Sequence, residues 1–128
     1  MEYNHSKETN LSFEEAITRV KEELKKEGFG VLTEIDVKST LKQKLNVDFK
    51  KYQILGACNP PFAYKALQAE EKIGVMLPCN VIVFEKENAK VEVACINPLI
   101  SMQSVKNDSL KEIATEVSAR LQRVISAL

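Results

Sequence analysis

Residues 52–84, YQILGACNPPFAYKALQAEEKIGVMLPCNVIVF, decide how this chain is read. Residues 52–58 form an apolar run in which Gly56 and Ala57 leave little side chain, as where another backbone or a ligand approaches closely. Asn59 is placed to cap a helix whose first position is Pro60, the helical site where a missing N–H costs nothing. Phe62, Ala66 and Leu67 give that helix an inward face, and Gly74 lies just past its end. Residues 79–84, CNVIVF, are apolar on both faces, which predicts a central strand rather than an edge. Two strands thus flank a helix, and each strand carries a cysteine beside an asparagine and a proline.

Downstream, residues 90–96 alternate, with Val91, Val93 and Cys95 on one face. Lys86, Glu87 and Asn88 suit a three-residue hairpin with Asn88 in the left-handed conformation. That loop pairs Val83 with Val91, Val81 with Val93 and Cys79 with Cys95, close enough for the two thiols to cross-link under oxidation. The connection 97–105, NPLISMQSV, is unusually apolar for a surface segment, so it is either tucked under the core or covered by a partner. Ser109 and Glu112 have the spacing of a capping box, and Leu110, Ile113, Ala114, Val117, Leu121 and Val124 follow as one helical stripe.

Upstream, residues 2–7 carry a weak alternation that predicts a terminal or edge strand. Ser12 and Glu15 form a capping box before the stripe Phe13, Ala16, Ile17, Val20 and Leu24, and Gly28 suits the left-handed cap that ends this helix. Residues 30–35, GVLTEI, read as a strand. Asp36 then caps a short helix with a narrow apolar edge at Val37, Leu41 and Leu45, and with Lys38, Lys42 and Lys44 on its solvated side.

These elements make one compact α+β domain over residues 1–128, a length that supports a single core. With 45% hydrophobic and 28% charged residues, neither disorder nor a membrane span is indicated. Eighteen basic and eighteen acidic side chains cancel, so no surplus positive charge favours nucleic acid. Three widely spaced cysteines and a polar start without an apolar h-region point to reduced thiols and a cytoplasmic protein.

The segments ILGACNPPFAYKAL and GVMLPCNVIVFE, behind SFEEAITRVKEELKKEGFGVLTEIDVKSTLKQKL, resemble the domain of unknown function 302 family over residues 13–98. The most specific pieces are ACNP and LPC in that order, behind a helix ending in Gly28 and Phe29. The resemblance implies a β-α-β4-α arrangement similar to TATA-binding-protein-like folds, an antiparallel sheet of about five strands covered by helices, and a homodimer. It implies no activity, and the last helix rests on periodicity alone.

Chemistry is expected where CNPP and LPCN meet. The ligand-binding candidates are Cys58, Asn59, Cys79 and Asn80, with a helix N-terminus pointing in, and a small molecule as ligand. The alternative is a thiol-redox or thiol-reactive protein using Cys58 and Cys79, because a helix dipole stabilises a thiolate. A zinc site would need Cys58, Cys79, Cys95 and His5 to converge without any CxxC or HxxxH spacing, so no metal or cofactor is expected. His5, near the N-terminus, is a poor general base for a cysteine nucleophile.

Overall fold

The computed structural model describes residues 2–128, which form an α+β domain. Five strands, β1 (Asn4–Thr9), β2 (Gly30–Asp36), β3 (Tyr52–Cys58), β4 (Cys79–Glu85) and β5 (Val91–Ile96), make one antiparallel sheet in the order β1-β5-β4-β3-β2. The apolar run 79–84 is therefore the middle strand, and residues 4–9 are an edge strand. Helices α1 (Phe13–Lys26) and α5 (Asp108–Ser126) pack on one face of this sheet. Shorter helices α2 (Val37–Leu45), α3 (Pro60–Ala69) and α4 (Pro98–Ser101), with a 3-10 turn at Glu71–Met76, are inserted between strands or before α5.

The core lies between α1, α5 and the covered face. Val20 and Leu24 of α1 and Leu121 and Val124 of α5 meet Leu55, Val81, Val83 and Val93, all essentially inaccessible. The connection 97–105 is tucked under the chain itself. Met102 is buried with Ala66, Ile73, Leu110 and Ala114 in a second cluster, and Leu99 and Val105 pack against it. Met102 is thereby covered within the chain, while Leu99, Ile100 and Val105 stay half-buried.

The capping box at Ser12 forms as expected: Ser12 Oγ accepts from the Glu15 N–H at 3.1 Å and Glu15 Oε1 accepts from the Ser12 N–H at 3.0 Å. At the other end of α1 the Phe29 N–H reaches the Leu24 carbonyl and the Gly28 N–H reaches that of Lys25, while Gly28 sits at φ 88°. This is the paired closure that requires a left-handed residue, and glycine adopts it without a Cβ penalty. The second capping box does not form. α5 starts two residues earlier, and Asn107 caps it by accepting from the Ser109 N–H at 3.1 Å. The Asn107 amide also donates to the Ala69 carbonyl at 2.8 Å, a tertiary tie that the Ser109 hydroxyl has no position to make. Ser12→Ala and Asn107→Ala are each expected to lower stability by about 1 kcal/mol. Ser109→Ala should leave the urea midpoint of the parent unchanged, and equal losses at Ser109 and Asn107 would contradict this assignment.

The hairpin joining β4 and β5 is longer than its sequence suggests. Asn88 Oδ1 accepts from the Lys90 N–H at 3.0 Å, so the Asn88 side chain is committed to a local turn and Ala89 takes the left-handed conformation at φ 64°. The strands consequently end at Glu85 and Val91, and the register is Glu85 with Val91, Val83 with Val93 and Val81 with Cys95. The shift is two residues, so the faces are unchanged, but Cys79 lies opposite Ala57 and is only a diagonal neighbour of Cys95. Diagonal positions are about 7–8 Å apart, too far for the Cys79–Cys95 cross-link that the shorter loop would permit. All three cysteines are free.

Candidate functional site

The end of the sheet where β3 runs out and β4 begins faces α3, α4 and α5 across a cleft of about 290 Å3. Its volume is near the lower limit for small-molecule sites and well above the ~150 Å3 apolar cavity that accepts benzene. Cys58, Asn59 and Cys79 all line it, together with Phe62, Ala63 and Ala66 of α3. Ile113, Ala114 and Val117 of α5 and Met102 close the far wall. The Leu77–Pro78 peptide bond at its rim is cis. Asn80 does not join these residues. It faces Gly56 in the β3–β4 pairing, on the uncovered side of the sheet, and is exposed in a shallow groove with Tyr52, Ile82 and Phe84.

The polar groups foreseen for this site are largely committed elsewhere. Asn59 is buried and does not cap α3; its Nδ2 donates to the Glu27 carbonyl at 3.1 Å. That carbonyl, one of the orphans at the end of α1, also accepts from Arg120 at 3.0 Å, and the Arg120 guanidinium lies 5.2 Å from the Phe62 ring. Asn59 therefore ties α3 to the end of α1 rather than offering an amide to a ligand. The helix N-terminus is weakened as well. Pro60 and Pro61 occupy its first two positions, and neither has an N–H to present. An anion site built on free helical N–H groups needs donors that this turn lacks.

No charged side chain lines the cleft among the described residues. Burial pushes the Cys79 thiol up to about 11, with the nearby Cys58 adding to the shift, and burial pushes Cys95 up to about 12. At neutral pH Cys79 is thus a protonated, poorly nucleophilic thiol. Iodoacetamide at pH 7.5 should modify the half-buried Cys58 well before Cys79 or Cys95, which intact-mass and peptide analysis of the folded protein will read. Equal labelling of all three thiols would contradict this ranking. Among the described residues no group of three or more His, Cys, Asp or Glu side chains is placed to hold a metal ion.

Sequence reasoning missed the α5 side of the cleft and the role of the alanines. Ala63, Ala66 and Ala114 are small residues on two facing helices, and it is their lack of bulk that leaves the space open. The i, i+3 pair Ala63 and Ala66 is visible in the sequence, but its meaning depends on which helix faces it.

Behind the cleft lies a buried polar chain. His5 Nε2 is 3.1 Å from Ser118 Oγ, and Ser118 donates to Asn97 Oδ1 at 2.9 Å. Since the Ser118 proton goes to Asn97, the neutral His5 tautomer with Nε2–H completes the chain. Burial holds the His5 imidazole below its ordinary value of 6.5. The unfolded chain therefore binds the proton more readily, and the stability contributed by neutral His5 is complete above about pH 6.5 and is lost as pH falls below it through the folded value. His5 is the single histidine, and the shifted carboxylates such as Glu15, Glu23 and Glu34 titrate below 4.5. Urea midpoints should drop between pH 7 and pH 5 for the parent and less so for His5→Gln; parallel curves would remove His5 as the cause.

The profile of the domain of unknown function DUF302 matches residues 5–128, so it takes in α5 as well as the ACNP and LPC segments. A crystal structure of an uncharacterised conserved DUF302 protein from Bacillus stearothermophilus superposes with a TM-score of 0.91 at 30% identity, covering 98% of each chain. No curated protein matches the chain. A family profile spanning nearly every residue, and a family structure that follows the same path from end to end, establish that the chain belongs to the DUF302 family.

Proposed function

We propose that the protein is a homodimeric binding domain that takes a small, uncharged, largely apolar ligand in the cleft at Cys58, Asn59 and Cys79. The observation that carries this reading is the lining: apolar side chains on three sides, with no charged group among them. Burying an ion there would leave its charge uncompensated, whereas an apolar molecule gains about 25 cal/mol per Å2 removed from water. The polar groups at the rim, the Cys58 thiol and the Thr33 hydroxyl, are weak orienting partners rather than catalytic ones. Catalysis would need a general base, and neither a histidine nor a carboxylate lines the cleft. A thiol mechanism would need an activated sulfur, and the Cys79 thiol is raised to about 11.

The test is binding of a neutral apolar fluorophore, N-phenyl-1-naphthylamine, to the folded protein. Saturable one-site binding is expected. Ala63→Phe, which fills the cleft from α3, should weaken it at least tenfold, and Ala119→Phe, on the exposed side of α5, should not. Absence of saturable binding, or equal binding by Ala63→Phe, would refute the reading.

A further inference from the structure

Cys58 ends β3 at the rim of the cleft and is half-buried, whereas the space behind it is walled by Phe62, Ala66, Met102 and Val117. Cys79 lines the same space at 7% exposure, and its thiol has no hydrogen-bond partner among the described residues. The two thiols are near enough for Cys58 to push the Cys79 thiol up. A reachable sulfur at the mouth of an uncharged cleft, with an unused buried S–H inside, is more than packing requires.

We propose that Cys58 is a site of S-acylation and that the cleft encloses the acyl chain attached to it. This rests on the binding reading above and deepens it: the apolar ligand is a medium-length acyl group, joined to the protein as a thioester. The transfer balances without a further reagent. The Cys58 sulfur, as thiolate, attacks the carbonyl carbon of an acyl thioester such as an acyl-coenzyme A. The new S–C bond forms as the donor's C–S bond breaks, and the departing thiolate takes the proton that Cys58 gave up. One thioester replaces another, and nothing is oxidised or reduced.

Three features select an acyl thioester. It is neutral, so it brings no charge into a cleft that has none to answer it. Its carbonyl oxygen needs a donor, and the cleft offers the Cys79 S–H, which burial keeps protonated at neutral pH. Its chain is apolar, and each methylene withdrawn from water favours the enclosed form by roughly fourfold. Volume sets the length: about 290 Å3 is roughly twice the ~150 Å3 that accepts six-carbon benzene, which suits a chain of about 8–12 carbons. The thioester persists once formed. Among the described residues neither a histidine nor a carboxylate lines the cleft to activate water, and the chain fills the space that water would occupy.

Incubation of the folded full chain with octanoyl-coenzyme A at pH 7.5, read by intact-mass and peptide analysis, tests this. One octanoyl group is expected on Cys58, released by neutral hydroxylamine as a thioester is. Its transfer should run at least tenfold faster than acetyl transfer from acetyl-coenzyme A, and at least tenfold faster than octanoyl transfer to Ala63→Phe. The octanoylated protein should no longer bind N-phenyl-1-naphthylamine. Cys58→Ser, which keeps the cleft, should bind the fluorophore and take no hydroxylamine-labile group. Absence of acylation in a parent that binds the fluorophore saturably overturns the inference and leaves the cleft reading standing. Equal rates from acetyl and octanoyl donors, or fluorophore binding undiminished by octanoylation, would place the chain outside the cleft and overturn it as well; neither measurement needs a variant to fold. A parent that neither acylates nor binds the fluorophore refutes both readings.

Discussion

Asn97→Ala is expected to destabilise the protein by about 3 kcal/mol. Asn97 is 2% exposed, and its amide serves three groups at once. Oδ1 accepts from the Leu99 N–H at 3.1 Å, capping α4, and from Ser118 Oγ at 2.9 Å, while Nδ2 donates to the Glu2 carbonyl at 3.1 Å. Its own N–H is bonded to the Tyr3 carbonyl, so this one residue joins the N-terminal segment, the end of β5 and α5. Truncation removes a cap worth about 1 kcal/mol. It also removes the acceptor of the Ser118 O–H, leaving that hydroxyl bonded to His5 alone, and an unsatisfied buried donor costs about 1–3 kcal/mol. No buried side-chain polar atom among the described residues lacks a partner in the native chain, so the variant introduces a defect that the parent avoids. Urea denaturation of Asn97→Ala, Ser118→Ala and the double variant will show the coupling. If the two effects simply add, Asn97 and Ser118 do not act as one network.

Gly56→Ala is expected to cost about 2–3 kcal/mol although it adds only a methyl group. An ideal Cβ at Gly56 would lie 2.1 Å from Thr33 Oγ1 and 2.8 Å from Pro78 Cγ. The threonine can turn away, but the pyrrolidine ring cannot, so β2 and β4 must move apart on either side of β3. Thr33→Ala combined with Gly56→Ala should recover part of the loss, leaving the Pro78 contact as the remainder. A Gly56→Ala protein with the parent's midpoint would mean that the strands part at little cost. Because Thr33 and Pro78 also line the cleft, the same substitution should weaken binding of the neutral fluorophore.

The sequence by itself determined most of the elements and their faces. In α3, however, the helix ends at Ala69, Gly74 falls inside the 3-10 turn that follows, and Leu67, expected to point inward, is exposed. The capping box at Ser12, the glycine closure at Gly28 and the two-sided apolar run of β4 are local signals, and local backbone chemistry is sufficient to produce them. The antiparallel α+β arrangement followed from a family resemblance, and its strand count from periodicity. What periodicity leaves undetermined is any shift of two residues, since side chains return to the same face. The Asn88 turn chose the β4–β5 register, and with it the separation of Cys79 from Cys95. Competition between partners was equally beyond the sequence. Asn59 had the right position to cap α3, but the Glu27 carbonyl of α1 draws its amide away, and Asn107 displaced Ser109 because it can bond Ala69 at the same time. Asn80 parted from Cys79 for a simpler reason: neighbours on a strand point to opposite faces. The character of the cleft was decided last and only in three dimensions, because an apolar space is set by which small residues of α3 and α5 face one another across a distance that no local pattern encodes.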